Sequence, residues 1–260
     1  MANKVAKLLS RTVLEHTNIG SHLLMKLYYG VTGPHGYPDA PWTNGVLKKQ
    51  EEVKASIDQV RKLGLPIRDD PPKNWDSLAA LDLILRTTTS KARIFDAGGE
   101  LYSMILPWLF FYGYRNLIAA NLEFRKTTRR GSIVYEKADI TQTTYPDETF
   151  DAITCLSVIE HGVDLNAYFR EMSRLLKVGG VLITSADYWE TPIDTRGQME
   201  YGVPIHVFTK EEIIGALKLA RQYGFGPLSP LDLASEEKVV HWKEHDLHYT
   251  FVIFSMQKDG

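Results

Sequence analysis

Asp96 closes a short apolar run, Ala92-Arg93-Ile94-Phe95, and two glycines, Gly98 and Gly99, follow almost at once. An amphipathic apolar segment begins about four residues later. A carboxylate and paired glycines at a strand-to-helix turn suit a polar ligand, because glycine lets the main chain approach closely or take positive φ. The helix beyond the turn presents unpaired N–H groups to whatever carboxylate or phosphate sits there. Comparable positions recur after each later apolar run: Asn121, Leu122 and Glu123; Asp139 and Ile140; Leu156, Ser157, Glu160 and His161; Asp187, Tyr188 and Trp189. In open parallel sheets ligands bind beyond the carboxyl ends of the strands, so these residues belong to one candidate site. His161 has a side chain whose ordinary pKa suits a general base, and it could equally brace the start of a helix. His206 is a second candidate on the substrate side, or a packing residue before Thr209. Tyr188 and Trp189 could wall a substrate pocket, or belong to the core. Asn74 and Trp75 could close over a ligand from the front.

The elements that must position these residues follow from periodicity. Val5, Leu8, Leu9, Val13, Ile19, Leu23, Leu24 and Leu27 have helical spacing across residues 1–29. A glycine- and proline-rich aromatic loop runs from Gly30 to Trp42. Thr43 or Asn44 then caps a helix through Leu63 that stops at Gly64, and Asn74 caps another through Leu85. Strands are expected at 92–96, 116–121, 133–140, 150–157, 181–185 and 249–256. Between them lie helices at about 103–112, at 165–176 behind an Asp164 cap, and from the Thr209–Glu212 capping box to about Tyr223. Lys177 meets the dipole of the second of these helices, and Gly179-Gly180 ends it. Strands alternating with helices predict a parallel sheet covered on both faces. Residues 1–73 read as an N-terminal helical cap, 74–260 as the sheet domain, and 186–207 as a substrate-side insertion.

Composition bounds the rest. The chain has 260 residues, 44% of them hydrophobic, and a formal net charge of −2. Neither value provides the basic footprint of a nucleic-acid or anionic-membrane partner, and the cluster Arg125–Arg130 reads as a solvated face. One cysteine, Cys155, excludes an internal disulfide and reads as a buried small hydrophobe. No apolar run reaches membrane-spanning length. The Met-Ala-Asn-Lys start has no apolar signal core, so a cytoplasmic location is expected. No His, Cys or Asp grouping has metal-ligand spacing, so no metal is expected.

Five segments in order resemble the class I S-adenosylmethionine-dependent methyltransferases: Ile94–Gly99, Asp139-Ile140, Phe150–His161, Leu175–Ile183 and His206–Ile213. The resemblance implies an α/β fold with a doubly wound, mostly parallel seven-stranded sheet. S-adenosylmethionine would be the cofactor, S-adenosylhomocysteine its product, and a small molecule the methyl acceptor. It places Gly98 and Gly99 against the methionine moiety, with Asp96 near its amino group. Asn121, Leu122 and Glu123 would serve the ribose, Asp139 the adenine amine, Ile140 the ring, and Leu156 and Ser157 would line the cofactor. The chain would work as a monomer or homodimer, with oxygen or nitrogen as the methylated atom. Glu100, Leu101 and Tyr102 stand where the family has further glycines, and Asn121 where it has an acid. A cofactor-binding but catalytically silent scaffold is therefore the alternative. A nicotinamide reductase would require a third glycine on the phosphate-turn spacing, which is missing.

Overall fold

A computed structural model of the chain describes residues 18–39 and 44–260. The helical positions up to Val13, the aromatic Trp42 and the expected cap Thr43 lie outside the described residues. Helices α1 (Asn18–Tyr29), α2 (Gln50–Lys62) and α3 (Lys73–Thr87), with the short strand β1 (Gly45–Val46), form the front of the chain. Strand β2 (Arg93–Ala97), helix α4 (Ile105–Phe111), β3 (Asn116–Ala120), β4 (Thr128–Arg130), β5 (Ile133–Glu136) and β6 (Phe150–Leu156) follow. Next come α5 (Leu165–Leu175), β7 (Leu176–Tyr188), the small hairpin β8 (Met199–Glu200) and β9 (Val203–Pro204), and α6 (Lys210–Gln222). Strands β10 (Phe225–Pro227), β11 (Val240–Trp242) and β12 (Leu247–Lys258) complete the order.

The central strands β5, β3, β2, β6 and β7 are parallel, and β12 closes them antiparallel to β7. Successive strand residues face opposite sides, as the pleat requires. Ile94, Ala152, Val181 and Ile183 join the core with Trp75, Leu78 and Leu81 of α3 and Trp108 and Phe110 of α4. Phe95, Ile153, Leu182 and Phe254 join the other, with Tyr168, Phe169 and Met172 of α5 and Ile213 and Ala216 of α6. Helices therefore cover both faces. Strand order reverses at β2, where β3 leads one way and β6 the other, and a ligand crevice forms at such a switch.

Among the described residues the main sheet has ten strands rather than seven. The additions are short edge pieces, too brief to show a period. β4 pairs antiparallel with β5 and takes up Arg129 and Arg130, so part of the expected solvated face is strand. Along its outer edge β12 is tiled by three short strands: β11, β1 and β10.

Four local expectations change. Asn44 does not cap a helix; α2 begins at Gln50. Its buried amide instead donates to the Ser229 and Ser255 carbonyls and accepts from the Ser255 N–H and Oγ at 2.9 and 2.6 Å. Asn74 lies inside α3, and its side chain holds the preceding loop through Arg68, Asp70 and Pro71. Helix α5 ends at Leu175, because Leu176 is already extended to pair with Phe150. Lys177 then binds Asp151 at 2.7 Å, and Gly179-Gly180 sits in an irregular stretch of β7, with Gly179 at φ +75°. Strand β7 also runs on through Ala186, Asp187 and Tyr188, which were expected to start the insertion.

Truncating Asn44 leaves the buried Ser255 N–H without its acceptor, a loss of about 2 kcal/mol for an unsatisfied buried donor. Urea unfolding of Asn44→Ala is expected to show a lowered midpoint of that size with an unchanged slope.

Candidate functional site

The β2–α4 turn is built around Asp96. The carboxylate is buried, and its Oδ1 accepts from Thr154 Oγ1 of β6 at 2.7 Å. Gly99 packs directly on the other oxygen: a Cβ there would stand 2.0 Å from Asp96 Oδ2. Gly98 has φ +81°, and a Cβ on it would fall 2.5 Å from the Val158 methyls. Both glycines are therefore required by contact, and Gly98 by conformation as well. The turn is tied to β3 by the Gly98 N–H, which donates to the Ala120 carbonyl, and by Asn121 Nδ2, which donates to the Gly98 carbonyl. Asn121 Oδ1 accepts from the Glu123 N–H, so the amide braces the turn on both sides. Leu122 and Glu123 are exposed beyond it. Asp139 uses Oδ1 to hold the Thr141 N–H and hydroxyl, while Ile140 is buried beside it.

Opposite this turn, Lys73 of α3 reaches across the ends of β6 and β7. Its ammonium contacts Ser157 Oγ, lies 4.0 Å from Asp187 Oδ1, and sits 3.8 Å from the centre of the Phe251 ring. Ser157 has φ 53°, a left-handed conformation uncommon outside glycine, and its N–H bonds to Ser185. Four buried carboxyl groups share this end of the sheet: Asp76, Asp96, Glu160 and Asp187. Burial raises all four, since water no longer solvates their charges. Asp96 is pushed up to about 7. Asp76 is partly compensated by Lys73 and by the Ser185 hydroxyl at 2.7 Å. Neither oxygen of Glu160 meets a donor of ordinary hydrogen-bond geometry. Burial first, and the Asp187 carboxylate second, drive its pKa well up. The crevice is acidic, with Lys73 as its buried ammonium.

His161 follows Glu160 in the loop after β6. Burial first, then Lys73, lower its pKa, which keeps the imidazole neutral and able to accept a proton. The Tyr201 ring stands edge-on at 5.1 Å, and a Cβ on Gly162 would lie 3.2 Å from Val203 Cγ1. The β8–β9 hairpin of the insertion thus closes over the His161 loop. Tyr201 and Lys73 did not emerge from the sequence: the first lies in an aperiodic insertion, the second 84 positions from Ser157.

Several expected residues lie elsewhere. Trp75 is buried in the core of α3 rather than over the crevice. Tyr188 is buried against the α5–α6 side, and its hydroxyl donates to the Leu233 carbonyl at 2.7 Å. Trp189 is half-buried with Lys238 above its ring. His206 faces Glu212 at 3.3 Å and the Phe208 ring at 4.7 Å. Tyr188 and His206 are thus occupied in packing and bracing. Cys155 is wholly buried, and burial pushes its thiol up. His241, Asp246 and His248, which have no metal-ligand spacing in the sequence, meet on the β11–β12 hairpin. None of the described helices is long and apolar enough to cross a membrane.

Residues 115–184 match the family model of a methyltransferase domain. Phosphoethanolamine N-methyltransferase of Triticum aestivum is 39% identical over 77 residues, covering 30% of this chain and 15% of that protein. Sterol 24-C-methyltransferase of Yarrowia lipolytica is 30% identical over 118 residues, covering 42% and 30%. The matches thus span less than a third of these relatives. Among solved structures, geranyl diphosphate C-methyltransferase from Streptomyces coelicolor A3(2) superposes with TM-score 0.51 at 18% identity, over 92% of this chain and 98% of that one. An S-adenosylmethionine-dependent methyltransferase from Mesorhizobium loti gives 0.50 at 19%, over 70% and 97%. The [4+2]-cyclase SpnF gives 0.50 at 15%, over 84% and 99%, so the likeness concerns the fold. The chain thus has the fold of these solved structures, and its residues 115–184 match a methyltransferase-domain model.

Proposed function

We propose that the protein transfers the methyl group of S-adenosylmethionine to an oxygen or nitrogen of a small-molecule acceptor. The observation that carries this proposal is the Asp96 cradle: a buried carboxylate held by Thr154, in a turn whose paired glycines make room for it and for Val158. The cofactor brings a sulfonium and an ammonium, and the acidic crevice offsets positive charge there. Asp96 and the Gly98-Gly99 backbone would hold the methionine end, and Asp139 and Ile140 the adenine. Asn121, Leu122 and Glu123 would flank the ribose, with Leu156 and Ser157 along the cofactor.

The cofactor supplies an already activated methyl group, so the protein's work is alignment and exclusion of water. His161, held neutral, would take the acceptor's proton at an imidazole nitrogen as the new bond forms. Tyr201 and the β8–β9 hairpin would shield that side from water. The acceptor classes named for the wheat and Yarrowia relatives, a phosphoethanolamine and a sterol, are both small molecules, which favours an acceptor of that size. We further propose residues 1–73 as a cap, residues 74–260 as the catalytic domain, and a cytoplasmic monomer or homodimer that engages no nucleic acid.

Calorimetry with S-adenosylmethionine is expected to show saturable binding that Asp96→Asn abolishes; no binding by the wild type would remove the cofactor assignment. Asp96 has its folded pKa raised from 3.8 to about 7, so below pH 7 it holds a proton that the unfolded chain has released. Its contribution to stability therefore falls as pH rises from about 4 to 7. A bound ammonium draws the pKa back down, so binding releases a proton and affinity is expected to drop as pH falls below 7, by at most about tenfold per unit. Against an acceptor panel, His161→Ala is expected to lower kcat by about a hundredfold with cofactor affinity intact. Unchanged turnover would free His161 of that role, and cofactor binding without turnover of any acceptor would favour the silent scaffold.

A further inference from the structure

The β11–β12 hairpin carries a group of side chains that the crevice does not use. His241 and His248 are directly opposed across the strand pair, so their side chains leave the same face. Their rings are stacked with centroids 4.0 Å apart and planes 10° from parallel. Asp246 lies in the connecting turn with φ 52° and directs one oxygen at both rings. His241 Nε2 is 3.5 Å and His248 Nε2 4.0 Å from Asp246 Oδ1. All three ligand atoms lie within 4.8 Å of one another.

These separations discriminate between two roles. A histidine–carboxylate hydrogen bond would bring nitrogen and oxygen to about 2.7–3.2 Å, and neither ring does so. Two donors on one tetrahedral zinc, each about 2.0–2.1 Å from the ion, stand about 3.3 Å apart, close to what the hairpin provides. A shared ion would turn the two stacked rings so that their Nε2 lone pairs converge on it. The outer side of Asp246 is held as well. Arg196, from the 186–207 insertion, donates to the His245 and Asp246 carbonyls at 2.6 and 3.2 Å, and lies 3.9 Å from Asp246 Oδ2. Oδ1 is thereby left for the histidines. Two imidazoles and one carboxylate favour a borderline transition-metal dication over calcium or magnesium, with water completing the coordination.

We propose that His241, Asp246 and His248 form a surface site for a divalent transition-metal ion, zinc above all, that fastens the β11–β12 hairpin. The ion is structural, because the hairpin holds the insertion rather than the crevice. His245 binds Glu200 of β8 at 2.9 Å, and Arg196 reaches back from the same insertion to the hairpin turn. The insertion in turn presents Tyr201 to His161. Fixing the hairpin therefore steadies the cover of the crevice while leaving the cofactor cradle untouched.

The test uses the full chain without an affinity tag, stripped by chelator and titrated with zinc by calorimetry and with cobalt by visible absorption. One ion per chain is expected, with a rise in melting temperature. His241→Ala and His248→Ala should each abolish binding, and Arg196→Ala should weaken it by about tenfold. All three positions are exposed or half-exposed, so circular dichroism should show each variant folded. No saturable zinc binding would overturn the site, and so would binding that survives the double variant His241→Ala/His248→Ala. S-adenosylhomocysteine affinity, measured in parallel, reads the crevice separately and is expected not to change.

Discussion

Burial of Asp96 governs the geometry at the ligand end of the sheet. An ionised carboxylate out of water is costly unless donors surround it. Here one oxygen has the Thr154 hydroxyl, and the other has a glycine pressed against it. The carboxyl therefore titrates at about 7, and the turn around it must stay free of side chains. Gly98 and Gly99 answer that steric demand, and Asn121 and Ala120 fix the turn to the neighbouring strand. A cation placed there would restore the charge that the fold alone suppresses.

The same logic extends across the crevice. Asp76 arrives from α3, Glu160 from the loop after β6, and Asp187 from the end of β7, each short of solvent. Lys73 partly compensates them from the first turn of α3, lying over Phe251 and against Ser157. That helix is therefore more than a cover. It supplies a carboxylate and the ammonium that balances it, while its apolar side fills the core against β6 and β7.

Around this centre the fold spends its irregular pieces on edges. Strand β12 is twelve residues long and would expose its outer backbone groups without the three short strands that tile it. The insertion is fastened at two ends: Val203 and Tyr201 against the His161 loop, and Arg196 and Glu200 against the β11–β12 hairpin. These contacts hold the insertion over the His161 loop.

Local signals were enough for the parallel strands, the Asp164 and Thr209 caps and the paired glycines, since each rests on spacing within a few residues. The strand-end residues Asp96, Asp139, Ser157 and Glu160 were legible for the same reason: they follow directly from where apolar runs stop. Tertiary structure decided what those residues meet. Asn44 and Asn74 carry cap chemistry, but distant carbonyls and a preceding loop claim their side chains. Tyr188 can be read as pocket or, more readily, as core, and β7 decides it by continuing through the residue, with Leu233 taking its hydroxyl. The Lys73–Ser157 contact, the Glu160–Asp187 pair and the His241–Asp246–His248 group depend on strand order, register and a hairpin turn. Periodicity fixes which face a residue occupies, and only the closed sheet fixes which charges must share a space without water.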